Sequence, residues 1–193
     1  SRDSGVATFG RDLNATDDRR SLGPVGLPVL EGKHISPFVA DVGGATRRIT
    51  SGEARRLLPD RRFERARLAY RDVSGVGNRI TLIAAVLPPA VVTTHTLFCL
   101  RGPMPLDVQH YLSGVLNSYV VNGIVRLLMG GHLTTGLVED LPVPPWTAAP
   151  LQKRIARAAA RVGAGDQAAV RRVGVERDVV ALGVDHAHAV SMQ

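Results

Sequence analysis

At 193 residues the chain is long enough for one good core, or for one core with a helical appendage. With 45% hydrophobic but only 4% aromatic residues, that core has to be built from Leu, Val, Ile and Ala. The net charge of +7 favours a polyanionic partner, nucleic acid ahead of an anionic membrane surface, and no run of 18 apolar residues is present to span a bilayer.

Residues 1–26 are polar and turn-rich, with Asp17-Asp18-Arg19-Arg20 and breakers at Gly23-Pro24 and Gly26, and read as an opening linker rather than an element. Leu27-Pro28-Val29-Leu30 is a short strand leading into Glu31-Gly32-Lys33. Positive charge then concentrates. Arg47 to Arg71 holds nine arginines against Glu53, Asp60 and Glu64, a net of +6, whereas residues 73–150 are neutral. Lys33 and Lys153 are the only lysines. The arginine preference suits bidentate contact with phosphate and guanine, and it fits equally a genome biased toward Arg codons. Residues 51–66 carry charges at helical spacing, with Ser51 ahead of Glu53-Ala54 as a cap.

Three strands follow. Residues 67–72 alternate, with Arg67, Ala69 and Arg71 on one face and Leu68 and Tyr70 on the other. Residues 79–87 set Ile80, Leu82, Ala84 and Val86 against Arg79, Thr81 and Ile83, and residues 74–78 are the hairpin loop between these two strands. The Val/Thr-rich stretch 90–101 puts His95 on the side of Val91, Thr93 and Leu97. Its Cys99 is the sole cysteine, which excludes an intrachain disulfide and a cysteine zinc cluster and reads as a buried, inert thiol. Asp107 caps a helix starting near Val108, whose apolar stripe runs through Tyr111, Leu112, Val115, Tyr119 and Ile124 to Leu128, where Gly130-Gly131 stops it. Pro142, Pro144 and Pro145 impose an extended segment, and a second helix spans about residues 150–162. The expected fold is α+β, a mostly antiparallel central sheet with packed helices. Beyond Gly163 the signal fades, and 164–193 are expected to be partly disordered.

Taken in order, Leu27 to Ile35, Arg67 to Asp72, Asn78 to Pro88, His95, Leu112 to Asn122 and Leu141 to Pro145 resemble the TaqI-like C-terminal specificity domain of bacterial type II restriction-modification adenine-specific DNA methylases. The likeness covers about residues 9–146 and is closer to long single-chain enzymes that fuse a methyltransferase to its own target-recognition domain. It implies that 1–26 are a linker from a methyltransferase domain that is missing here, 27–146 a DNA target-recognition domain, and 147–193 a C-terminal helical segment. The implied partners are double-stranded DNA and the methyltransferase domain of the same parent chain, with no membrane and a cytoplasmic location.

Members of that family act through an Asn/Asp-Pro-Pro-Tyr/Phe motif that holds the flipped adenine, together with a glycine-bearing strand end that binds S-adenosylmethionine. Neither occurs here: Leu87 precedes Pro88-Pro89, and Val143 stands before Pro144-Pro145-Trp146. The chain is therefore expected to hold no catalytic residue and no cofactor. S-adenosylmethionine would belong to the methylase domain of the parent, a site-specific DNA adenine methyltransferase with or without nuclease activity. His186 and His188 lack a third ligand nearby in sequence, so no metal site is expected.

The residues assigned to DNA are Lys33, His34, Arg47, Arg48, Arg67, Arg71, Arg79 and His95. Each has a plainer reading. Arg71 and Arg79 serve equally well as ion-pair residues fastening the hairpin, Lys33 and His34 as closers of a turn after Gly32, and His95 as a satisfied core histidine. Asn117 reads as a helix-packing or capping group, and Trp146 as a core plug. The residues alone also permit a protein–protein docking module without DNA reading, in which the two helices face a partner and the basic stretch is a solvated face. A free-standing enzyme is disfavoured, because no nucleophile–base pair or phosphate-cradling Gly loop is evident.

Overall fold

A computed structural model describes residues 7–72, 80–129 and 132–166. Among them are ten short strands: β1 (Phe9–Gly10), β2 (Leu22–Gly23), β3 (Leu27–Leu30), β4 (Ile35–Ser36), β5 (Val39–Ala40), β6 (Arg48–Ile49), β7 (Arg67–Arg71), β8 (Ala84–Leu87), β9 (Val92–Thr93) and β10 (Leu97–Leu100). The five helices are α1 (Ser51–Leu57), α2 (Leu106–Leu116), α3 (Tyr119–Leu128), α4 (Thr135–Glu139) and α5 (Pro150–Gly163). The fold is α+β with mostly antiparallel pairing. No helix among the described residues is long and apolar enough to cross a membrane.

The central sheet has the order β1-β10-β7-β8 and is antiparallel throughout. Because it is covered on both faces, β7 and β10 are buried along nearly their whole length. On one face Leu68, Tyr70, Leu82 and Phe98 meet Leu116, Val121, Val125 and Val138 from α2, α3 and α4. On the other, Ala69, Ile83, Ala85, Leu87, Leu97 and Cys99 form a second apolar cluster. An outer sheet of order β2-β6-β3-β9 is antiparallel except for the parallel β3–β9 pair, and with α1 it encloses Val29, Ile49, Ala54, Leu58 and Phe63.

Several expectations are corrected. The opening segment is no linker: β1 forms an edge of the central sheet, with Phe9 opposite Leu100, and Leu13 is buried beneath the outer sheet. The strand expected over 79–87 is regular only from Ala84. At the bend before it the side chain of Asn122 substitutes for a neighbouring strand, Oδ1 accepting the amides of both Thr81 and Leu82 at 2.7 Å. Asn117 does the same for Ala84, accepting its N–H at 3.1 Å and donating to its carbonyl at 2.8 Å. These bonds satisfy backbone groups that burial would otherwise strand.

The stretch 90–101 is likewise two strands, since a turn at residues 94–96 hands the chain from the outer sheet to the central one; His95 lies on that turn. The long helix is divided at Asn117-Ser118. Asn117 caps α2, and the Ser118 hydroxyl accepts the Val121 amide to start α3. Thr50 rather than Ser51 caps α1, and Asp107 sits inside the first turn of α2. α5, β3 and β7 match their expected bounds closely. Arg79, the 74–78 loop, Gly130-Gly131 and the expected disorder of 167–193 lie outside the described residues.

Candidate functional site

The turn at residues 94–96 stands where β7 leaves the central sheet and β10 enters it, Leu97 opposite Arg71. Segments distant in sequence are fastened to it. The Gly32 amide donates to Thr96 Oγ1 at 2.9 Å, the Asp72 amide to the Thr96 carbonyl at 3.0 Å, and the Ala15 amide to His95 Nδ1 at 3.3 Å. Thr94 N–H donates to the Leu30 carbonyl at 3.0 Å and so anchors the strand from which the 31–34 turn grows.

That turn is one short 3-10 segment, Gly32–His34. His34 is buried and its Nδ1 accepts the Glu31 amide at 2.8 Å, which puts the ring proton on Nε2. His34 thus closes the turn and is not a surface contact. Glu31 divides its carboxylate between Lys33 Nζ at 2.9 Å and Arg47 Nη1 at 3.0 Å. The two cations are 67% and 52% exposed and the carboxylate 21%, so positive charge lies outside and negative charge inside. The hydrogen bond from Lys33, helped by the Arg47 charge, holds the Glu31 carboxyl below its ordinary value.

Arg71 supports this turn from beneath. Its guanidinium donates to the Ile35 carbonyl, and a Cβ added at Gly32 would lie 3.8 Å from its Cγ. Desolvation lowers the pKa of Arg71. The bond to Ile35 ties Arg71 to the segment that follows the 32–34 turn.

Arg67 is corrected outright. It is fully buried and paired with the equally buried Asp12, whose carboxylate also accepts the Thr93 amide at 3.1 Å and the Thr93 hydroxyl at 3.0 Å. Arg62 Nε lies 3.6 Å from the other Asp12 oxygen. Burial opposes the Arg67 charge and the Asp12 carboxylate beside it favours it, for a net rise in its pKa; burial also pushes the Cys99 thiol up. The wider arginine stretch is also engaged within the molecule. Arg55 and Arg56 hold Glu64 and Glu53, while Arg48 and Arg65 donate to the Gly26 and Arg101 carbonyls.

Arg11 was missed because it sits in the supposed linker. Its guanidinium lies 4.6 Å from the centre of the Phe98 ring and donates to Asp72 Oδ2 at 2.6 Å, with His132 Nδ1 3.9 Å from the other Asp72 oxygen. The alternation Phe9-Gly10-Arg11 was its one sequence signal. The sheet end therefore gathers Arg11, Lys33, Arg47, Arg71 and His95 from five segments; Arg48 and Arg67 are placed elsewhere.

A separate cleft of about 440 Å³ lies between β1, α2, α4 and the proline segment, lined by Phe9, Tyr111, Glu139 and Trp146 among others. Tyr111 donates to the Pro144 carbonyl at 3.0 Å and Trp146 packs against its ring at 5.3 Å. Pro88-Pro89 lies in an exposed turn after β8, and Pro144-Pro145 walls this cleft. No family model matches the chain, and no curated protein matches it.

Proposed function

We propose that this chain is the sequence-recognition domain of a restriction-modification N6-adenine DNA methyltransferase, without catalysis of its own, and that it meets double-stranded DNA with the sheet end around residues 94–96. One observation carries the reading: exposed cations from separate segments converge there over largely buried carboxylates. Phosphate contacts position such a module on the duplex, and base contacts by groups such as Lys33 and the His95 ring supply discrimination. Methyl transfer, and S-adenosylmethionine with it, belong to a methyltransferase domain of the same parent chain. The test is fluorescence anisotropy with duplex DNA across a salt series. Lys33→Ala is expected to reduce the log–log salt slope by about one with only a small fall in the thermal midpoint, from the lost Glu31 pair; a slope unchanged by Lys33→Ala and Arg11→Ala together would contradict the placement.

A second reading, docking onto a protein partner, is favoured by α3. Val120, Leu127 and Leu128 stand exposed along that short helix, Leu127 at 87%. Soluble domains seldom leave such a stripe uncovered. It is compatible with the first reading, because a recognition domain has to abut the catalytic domain it serves.

A further inference from the structure

A hollow of about 300 Å³ opens on the outer sheet between Arg19, Leu22, Gly23 and Arg47. The strand pairing creates it. β2 and β6 run antiparallel with Leu22 opposite Ile49 and Gly23 opposite Arg48, so Arg19 before β2 and Arg47 before β6 approach from opposite ends of the pair. The floor is uncharged, and a Cβ added at Gly23 would meet nothing within 4 Å, so a larger side chain there has room to stand over the strand. Both arginines are exposed. The acids nearest in sequence to Arg19 are engaged within their own turn: Asp18 accepts the Asn14 amide at 2.9 Å, and Asp17 accepts the Asn14 side-chain amide at 2.5 Å. Glu31 takes a single Arg47 nitrogen and divides its charge with Lys33. A guanidinium has five donors, which leaves Arg47 able to serve a second acceptor.

We propose that this hollow is a phosphodiester site, one DNA backbone phosphate seated between the two guanidiniums with its sugar over Leu22 and Gly23. Paired forks suit the oxygens of a phosphate, and an apolar floor suits deoxyribose better than it suits a base edge. Through Arg47 and Glu31 the hollow continues the cationic edge that begins at Lys33. The inference rests on the DNA-reading function above, and it assigns to the outer sheet the task of holding register while the sheet end discriminates.

The full chain is titrated with a random-sequence duplex across a salt series, comparing the unchanged protein with Gly23→Leu and with Arg19→Ala/Arg47→Ala. One phosphate contributes about 0.9 to the log–log salt slope. Both variants are expected to lose about that amount. Gly23→Leu alters no charge, so its effect reports the hollow rather than the general field, and circular dichroism melts of each variant confirm that the fold persists. A full slope in Gly23→Leu overturns the site, as does a double variant that loses twice as much while Gly23→Leu loses nothing. Inorganic phosphate at ionic strength matched with chloride is expected to displace no additional duplex. Extra displacement from the unchanged protein, absent in Gly23→Leu, would reassign the hollow to free phosphate and overturn the phosphodiester assignment. An unchanged protein that binds no duplex at low salt overturns the DNA reading itself and the hollow with it, whereas ordinary duplex binding with an intact Gly23→Leu slope overturns the hollow alone.

Discussion

Asp12 is the residue on which the most depends. It is the common partner of the buried Arg67 and the largely buried Arg62, so Asp12→Asn leaves a guanidinium charge in the interior without its counterion. Breaking a buried pair from one side costs about 3–5 kcal/mol. Urea unfolding of Asp12→Asn is expected to show a loss of that size, and a loss below about 1 kcal/mol would mean that the Arg67 charge is not neutralised by Asp12. Glu31 makes a subtler contribution. Its folded-state pKa lies below the ordinary 4.5, so its bonds to Lys33 and Arg47 stabilise the fold fully above that value and fade as pH falls through the lowered one. Thermal midpoints measured from neutral pH down through this window are expected to fall less steeply in Glu31→Gln than in the unchanged protein. Arg71→Ala removes the donor to Ile35 and is expected to weaken DNA binding indirectly, with a small loss of stability of about 1.5–3 kcal/mol, the usual range for a charge-assisted bond. If Arg71 contacted DNA directly instead, the salt slope would drop with no change in stability.

At the scale of elements, the junction between α2 and α3 decides how the sheet ends. Asn122 supports two buried amides and Asn117 one amide and one carbonyl, so each does work normally left to a neighbouring strand. Asn122→Leu is expected to cost about 2–5 kcal/mol in chemical denaturation, two orphaned buried amides at about 1–3 kcal/mol each being partly relieved by solvent. Leu127→Glu on the exposed face of α3 should instead stay within about 0.5 kcal/mol of the unchanged protein. This contrast also explains what could be read in advance. β3 and α5 were legible because a strand-length apolar run and a proline-initiated helix are local signals. The break at Asn117-Ser118 was not, because the apolar stripe continues across it and the need for an amide-bearing side chain arises only once the 80–84 segment lies alongside. The same holds for Arg67. Alternation correctly made 67–71 a strand, yet with both faces of that sheet covered the arginine face is interior too, and its partner Asp12 lies 55 residues away.

For the whole molecule, a net charge of +7 says little about where the exposed cations lie. Most of the arginine-rich stretch neutralises carboxylates or satisfies carbonyls, and the exposed cations at the sheet end, Arg11, Lys33 and Arg47, come from three segments, one of them taken for a linker. Of the residues assigned to DNA from sequence, Lys33, Arg47 and His95 reach this end with accessible surface; Arg71 and His34 brace it from within. The central claim is sequence reading, not charge alone, and the most direct measurement is repeated selection of duplexes from a randomised pool by the intact chain near physiological salt, followed by sequencing. Enrichment of one short word is expected, lost when Lys33 and His95 are replaced together by Ala and Gln. A pool that stays random while still binding would show a basic surface without recognition and would contradict it.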